Sequence, residues 1–357
     1  MISSNLSGKN EKNNSSLTAI GSYDHYIAVD WSIKNMAIAR LSKKMREPII
    51  IDVPSSVKEL KLYLKKLQGS KILTVEETTT SQWLYVELHD YADKIFICDP
   101  YRNRLLSDGP KNDKIDAGKL CRLLKNGLMK EVYHSTDELY ELRKLVSYYN
   151  DEVKAGVRLL NQKSALYRSE NKSYKEKEQL AEGSGINKFI VTQLDEKISL
   201  YVDNKEKYEE EFEKISKSNK VIRSLDSIPG LGLISSVTIC SIVIDAKRFK
   251  SNNHYLIYCG LVKHDKLSGG RSYGKRIPRY CRKLKGIYKT AASSVLRTEN
   301  PIKEYYSYLI NEKKLEEHNA RNAVARYIAK ISLGIMKTGK KYQPYKWRQN
   351  PKEKGTA

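Results

Sequence analysis

From Tyr26 onward, short apolar runs alternate with segments of helical period. YIAVDWS (26–32) is an apolar run that contains an acid near its end, MAIARL (36–41) packs beside it, and PIIIDV (48–53) supplies a third strand. Val57, Leu60, Leu64 and Leu67 then share one face of an amphipathic helix. KILTVEE (71–77) reads as a buried strand, QWLYVELHDYA (82–92) as a helix and KIFICDP (94–100) as a strand closed by proline. Hairpin strands followed by alternating helices and strands predict an α/β domain, a mixed sheet with helices on its faces.

The period then changes. Leu139, Leu142, Val146, Tyr149, Val153 and Leu160 keep a 3,4 spacing, with Gly156 in one core slot. After the polar stretch SENKSYKEKEQLAEGSG the spacing resumes through Leu194, Ile198, Tyr201, Tyr208, Phe212, Ile215 and Ile222. These two segments predict a long helical coiled-coil arm, an antiparallel hairpin whose seams bring chains together. A mostly α-helical third region opens with SIPGLGLISSVTIC and runs to ARNAVARYIAKISLGIMK. The expected domains are a disordered tail (1–22), an α/β domain (23–134), the arm (135–222), a C-terminal domain (223–340) and a basic tail (341–357). Ser, Asn, Lys and Gly dominate the first 22 residues, which carry too little apolar surface to offset ordering entropy.

A formal charge of +23 over 357 residues exceeds what solubility requires and points to a polyanion. Lysines interleave with aromatics in the tail KTGKKYQPYKWRQNPKEKG, which favours nucleic acid over a membrane surface. No apolar run approaches the roughly 18 residues of a membrane span, and the polar N-terminus lacks a signal-peptide core, so the expected location is cytoplasmic. Five cysteines scattered without a CxxC pair speak against disulfides and zinc.

Asp30 ends the first strand and Glu76 a central one, so in a parallel pairing both side chains meet at one sheet edge. Asp113 and Asp116, three apart, share one face of a helix start. Four converging carboxylates can hold Mg2+ or Mn2+ for phosphoryl chemistry. Each acid also has a plainer role: Asp113 caps the helix with Asp116 in its first turn, Asp30 closes a turn, or Glu77 replaces Glu76. In KLSGGRSYGKRIP (266–278) the spacing GxxxxGK matches a phosphate loop. Arg276 stands where such a loop needs Ser or Thr, and no apolar strand precedes it, which excludes nucleotide hydrolysis. Gly230 and Gly232, before a helix, either bring backbone N–H groups to a phosphate or make a tight loop between packed helices.

YIAVDWS, VEETTTSQWLYVEL, DPYRNRLLSDGPKNDKIDAGKLCRLL and the downstream SIPGLG, RF, YCGL and SG resemble, in order over roughly residues 24–335, the bridge-RNA insertion-sequence recombinases. These are the DEDD transposases to which the Piv site-specific invertases are related. The resemblance implies a RuvC-like, RNase H type N-terminal domain with Asp30, Glu76, Asp113 and Asp116 as its acids, binding Mg2+ or Mn2+. It implies Ser268 as a nucleophile that forms a phosphoserine link to DNA; beside it, the positive charges of Arg271, Lys275, Arg276 and Arg279 read as contacts to nucleic acid. Donor and target DNA, a noncoding bridge RNA and further copies of the chain (a dimer, a tetramer on DNA) are the implied partners, in a bacterial, nucleoid-associated setting. Since serine and acids lie in different domains, the resemblance allows Ser268 to act from another copy. The chain departs from the family pattern at Thr79, where glycine is usual, at Lys263, where proline is usual, and at RIPRYCRK, where the family has an ITK-x-GN type ending.

Two rival classes remain on the sequence: a RuvC-like nuclease in which water attacks and Ser268 is incidental, and a nonenzymatic nucleic-acid binder whose acids hold no metal. Magnesium dependence separates the second from the rest, and a covalent protein–DNA intermediate separates the first. Ser268 lacks an obvious neighbouring base apart from His264.

Overall fold

The computed structural model describes residues 22–101, 112–173, 185–276, 278–345 and 347. The expected disordered tail lies outside them except at its last residue, as do residues 102–111, 174–184 and most of the basic tail. The chain divides into two compact units, Met1–Thr136 and Asp137–Ala357. No helix among the described residues is long and apolar enough to cross a membrane.

The first unit is α/β. Its strands are β1 (His25–Trp31), β2 (Asn35–Ser42), β3 (Ile49–Pro54), β4 (Lys71–Glu76) and β5 (Lys94–Cys98), with helices α1 (Val57–Lys66), α2 (Ser81–Leu88) and α3 (Asp113–Lys125). They form one mixed sheet in the order β3-β2-β1-β4-β5, antiparallel from β3 to β1 and parallel from β1 to β5. Side chains alternate between two cores. Ile27, Val29, Leu73, Val75, Ile95 and Ile97 meet Leu60 and Leu64 of α1 and Leu84 and Leu88 of α2. Tyr26, Ala28, Ile72 and Phe96 meet Ala117, Leu120, Cys121 and Leu124 of α3. Burial on both faces is why β1, β4 and β5 read as nearly unbroken apolar runs.

The second unit holds α4 (Glu138–Ser169), α5 (Gly185–Ser218), α6 (Lys220–Asp226), α7 (Leu233–Val243), α8 (Asn252–Tyr258), β6 (His264–Ser268), β7 (Arg271–Arg276), α9 (Arg282–Ser294), α10 (Pro301–Asn311) and α11 (Glu317–Thr338). α4 and α5 pair antiparallel. Tyr149 donates to Glu209 Oε1 at 2.7 Å and packs edge-on against Phe212, while Lys163 pairs with Asp195 near the far end. Gly156 is required at the crossing, because a Cβ there would lie 2.4 Å from the Tyr201 ring.

Leu142, Val146, Tyr149 and Phe212 belong to the same core as α6–α11, so the base of the hairpin is built into the unit. Leu142 and Tyr149 are therefore occupied within the chain rather than held for a second copy. Leu142→Lys buries an unpaired charge and is expected to destabilise the unit by at least about 3 kcal/mol in urea unfolding, instead of releasing a monomer from an assembly. An unchanged unfolding midpoint would contradict this placement.

Candidate active site

The sheet brings two acids together by register. Val29 lies beside Val75 in the parallel β1–β4 pair, so the next residues, Asp30 and Glu76, are neighbours at the C-terminal ends of the strands. Both continue the parity of Ala28 and Thr74 and emerge on the face covered by α3. Glu77 follows the strand, is exposed, and has the opposite parity. C-terminal ends of parallel strands are the usual place for chemistry in such sheets, since loops and helix starts gather there.

α3 begins at that edge. Its N-cap is Asn112, whose side chain accepts from the Lys114 N–H at 3.0 Å. Asp113 is thereby free of the capping role, and it sits with Asp116 in the first turn. Burial of Ala117, Leu120, Cys121 and Leu124 holds the helix on the sheet.

Burial and neighbouring carboxylates raise two of these acids. Asp30 is pushed up to about 6, first by burial and then by the negative charges of Asp113, Glu76 and Asp116. Glu76 is raised by burial and by Asp116. Lys119 stands 3.8 Å from Asp116, and no ion pair relieves Asp30, Glu76 or Asp113 among the described residues. Unrelieved negative charge and hard oxygen donors suit Mg2+ or Mn2+ in chemistry. Among the described residues no three His, Cys, Asp or Glu side chains are placed to hold a metal ion as they stand. The donor set thus fits a cation by type and charge, while its ligand cage is not closed.

Ser268 belongs to the second unit. The stretch around it forms an antiparallel hairpin rather than an irregular loop, with Ser268 paired to Arg271 and Leu267 to Ser272. Gly269 and Gly270, at φ 54° and 80°, form the two-residue connection, and positive φ at both positions is what a tight hairpin turn of this hand demands. The glycines are accounted for by the turn, which leaves Ser268 at the hairpin's tip. Every described residue of β6 and β7 is exposed, including Arg271, Lys275 and Arg276. A ribbon with no packed face shows no apolar alternation, which is why its sequence hid it. His264 is four residues back along the strand, about 13 Å of extended chain, and so out of hydrogen-bond reach of Ser268 in that hairpin. Arg279 is exposed beyond it.

Gly230 and Gly232 part company. At Gly230, φ is +85° and a Cβ would approach Val295 Cγ1 to 2.5 Å and the Ala291 carbonyl oxygen to 2.7 Å. Close packing on α9 therefore explains this glycine. Gly232 is the N-cap of α7 with nothing within 4 Å of a Cβ.

The aromatic pair Trp31 and Trp83, edge to face with centroids 5.6 Å apart, was not singled out from the sequence. Trp31 directly follows Asp30 in β1 with the opposite parity, so the pair lies on the face covered by α1 and α2 while the acids emerge on the other, and Trp83 is 45% exposed there.

Residues 222–307 match the sequence model of the family described as "Transposase IS116/IS110/IS902 family". The match supports an insertion-sequence transposase acting on DNA. It includes Gly230, Gly232 and Ser268 and excludes the acids of the first unit. No curated protein matches the chain.

Proposed function

We propose, from the transposase match over residues 222–307, that the chain cuts and rejoins DNA using the four acids and Ser268, under the guidance of a noncoding RNA. The observation that carries this reading is the placement of the acids: Asp30 and Glu76 side by side at neighbouring strand ends, on the sheet face that α3 covers, with Asp113 and Asp116 in the first turn of α3. Such a cluster is costly to hold together and suits a site that works on a cation and a phosphate. In this reading the first unit is a RuvC-like, RNase H type domain, and Asp30, Glu76, Asp113 and Asp116 hold Mg2+ or Mn2+. The cation would neutralise the phosphate and favour attack at phosphorus.

Ser268 Oγ forms a bond to phosphorus, its proton leaves to a carboxylate or water, and the bond to the departing deoxyribose oxygen breaks. The resulting phosphoserine keeps the strand joined to the protein until a second strand's hydroxyl displaces it. Arg271, Lys275, Arg276 and Arg279 supply charge for the backbone. A two-stranded ribbon has the width of the DNA major groove, which suits the exposed hairpin. Gly232 offers backbone N–H groups at a helix start. Sequence choice is assigned to base pairing with the guide, since phosphate contacts give affinity and register without reading bases.

The self-association expected of the arm is assigned to the outer face of α5. Ile186, Phe189 and Leu200 lie there at 72%, 66% and 59% exposure and at spacings that share one helix face.

The test of the overall reading is strand cleavage on adding Mg2+ to the chain and its co-purified RNA, with that RNA sequenced. Affinity for DNA is also expected to fall steeply with salt, and Arg271, Lys275 and Arg276 changed together to Ala to lower the slope of log affinity against log salt by about 2 to 3. An unaltered slope would remove the hairpin from the phosphate contacts.

A further inference from the structure

The C-terminal end of α11 carries a cavity of about 640 Å³ that neither the acids nor Ser268 help to line. Gly339, at φ 65°, ends the helix in the left-handed conformation and turns the chain back. The returning segment is pinned to α10: Trp347 Nε1 donates to the Pro301 carbonyl oxygen at 3.2 Å, and the Tyr345 hydroxyl donates to Glu304 Oε1 at 3.0 Å. Aromatic faces result. Tyr305 lies 4.8 Å from Tyr327 and 5.5 Å from Trp347 between ring centroids, and all three line the cavity.

Three further features define what would fit. Among the described residues, Lys330, Lys340 and Lys341 line the cavity and no acidic side chain does. Tyr342, also in the wall, has a buried hydroxyl with no hydrogen-bond partner among the described residues. A buried hydroxyl left unpaired costs stability, so a partner is chemically called for. Gly334, near the C-terminal end of α11, has nothing within 4 Å of where a Cβ would lie and leaves that side of the cavity open.

Ring faces, an unpaired hydroxyl and lysines without acids together match a flat heteroaromatic group bearing an anion. A nucleotide has this chemistry, and the cavity falls in the size range of small-ligand sites, roughly 300–1,000 Å³. We propose that this cavity receives one unpaired nucleotide of a nucleic-acid strand, its base against the Tyr305, Tyr327 and Trp347 rings, a polar edge on the Tyr342 hydroxyl and its phosphate among the three lysines. Only an unstacked base can offer a ring face, so the ligand is single-stranded. RNA and single-stranded DNA share this chemistry. The assignment rests on residues of the second unit alone and stands whether or not the acids cleave DNA.

The experiment uses the full chain with fluorescein-labelled ten-nucleotide oligo(U) and oligo(dT), and a ten-base-pair duplex, followed by anisotropy. Gly334→Leu fills the cavity from a helix position that has room for a side chain. It is expected to weaken single-strand binding about tenfold while changing duplex binding less than about twofold. Tyr342→Phe is the second variant. Deleting an unpaired buried hydroxyl is expected to leave the melting temperature of the ligand-free chain unchanged or higher, while single-strand affinity falls about fivefold. A larger loss for oligo(U) than for oligo(dT) identifies RNA as the source, and equal losses identify any single strand. The proposal is overturned if Gly334→Leu weakens duplex and single strand alike, if it weakens neither, or if Tyr342→Phe lowers the melting temperature and leaves affinity intact.

Discussion

Asp30→Asn is expected to lower metal-dependent strand cleavage on the order of 10³-fold and, at the same time, to make the metal-free protein more stable. The two effects have one cause. Asp30 stands at a strand end among Glu76, Asp113 and Asp116, and burial with their charges raises its carboxyl to about 6. An unfolded aspartate titrates near 3.8, so between these values the folded chain binds the proton more tightly than the unfolded one. Stability therefore falls as pH rises from about 4 to about 6. The penalty is fully present above 6 and absent below the unfolded value. A shift of this size converts to ~3 kcal/mol at full strength. Asp30 is only half-buried, and solvent screening reduces the expected gain of the Asn variant to about 1 kcal/mol at pH 7. Thermal melts at pH 4 and pH 7 measure it: the two proteins should coincide at the lower pH and separate at the higher. Saturating Mg2+ should raise the wild-type melting temperature and not that of the variant. Wild-type cleavage by Asp30→Asn, or identical melts at both pH values, would remove Asp30 from the site.

The second large effect concerns Ser268. Denaturant added during the reaction with end-labelled DNA is expected to trap wild-type protein bonded to DNA, and Ser268→Ala to yield no such adduct. Ser268 is exposed at a hairpin tip and makes no core contact, so the variant should fold and melt as wild type does. Its salt response should also be unchanged, since the neighbouring arginines and lysine remain. The hairpin supplies its own control. Ser272 is exposed on the opposite strand, beside Leu267, and Ser272→Ala should form the adduct normally. An adduct that survives Ser268→Ala would place the nucleophile elsewhere. Free cleaved ends without any adduct in wild type would make the enzyme a nuclease in which water attacks.

Much of the first unit is written in the chain itself. β1, β4 and β5 are buried on both faces, and so appear as apolar runs whose polar ends mark Asp30 and Glu76. The 3,4 spacing from Leu139 to Phe212 likewise announces two long helices, because a helix must place its apolar side chains on one stripe to bury them. The position of Asp113 and Asp116 three apart at a helix start is equally local. What lies beyond the sequence is which of these residues meet. The register of β1 with β4 and the seating of α3 on one face bring the acids into a common field, and both depend on contacts between residues far apart in the chain.

Spacing alone left two roles open for Asp113 and two for Gly230. Asn112 takes the cap from Asp113, and the walls of α9 claim Gly230, since positive φ serves a phosphate loop and a tight packing turn equally well. The β6–β7 ribbon was hidden because a hairpin exposed on both faces has no alternation to display. The cavity beside α11 was hidden for a related reason: Tyr305, Tyr327 and Trp347 are far apart in sequence, and the packing of α10 on α11 joins the first two rings while the reversal at Gly339 returns the third to them. Local periodicity thus determined the elements and the kinds of chemistry each carries, while convergence, which is a property of distant residues packed in three dimensions, belonged to the tertiary structure.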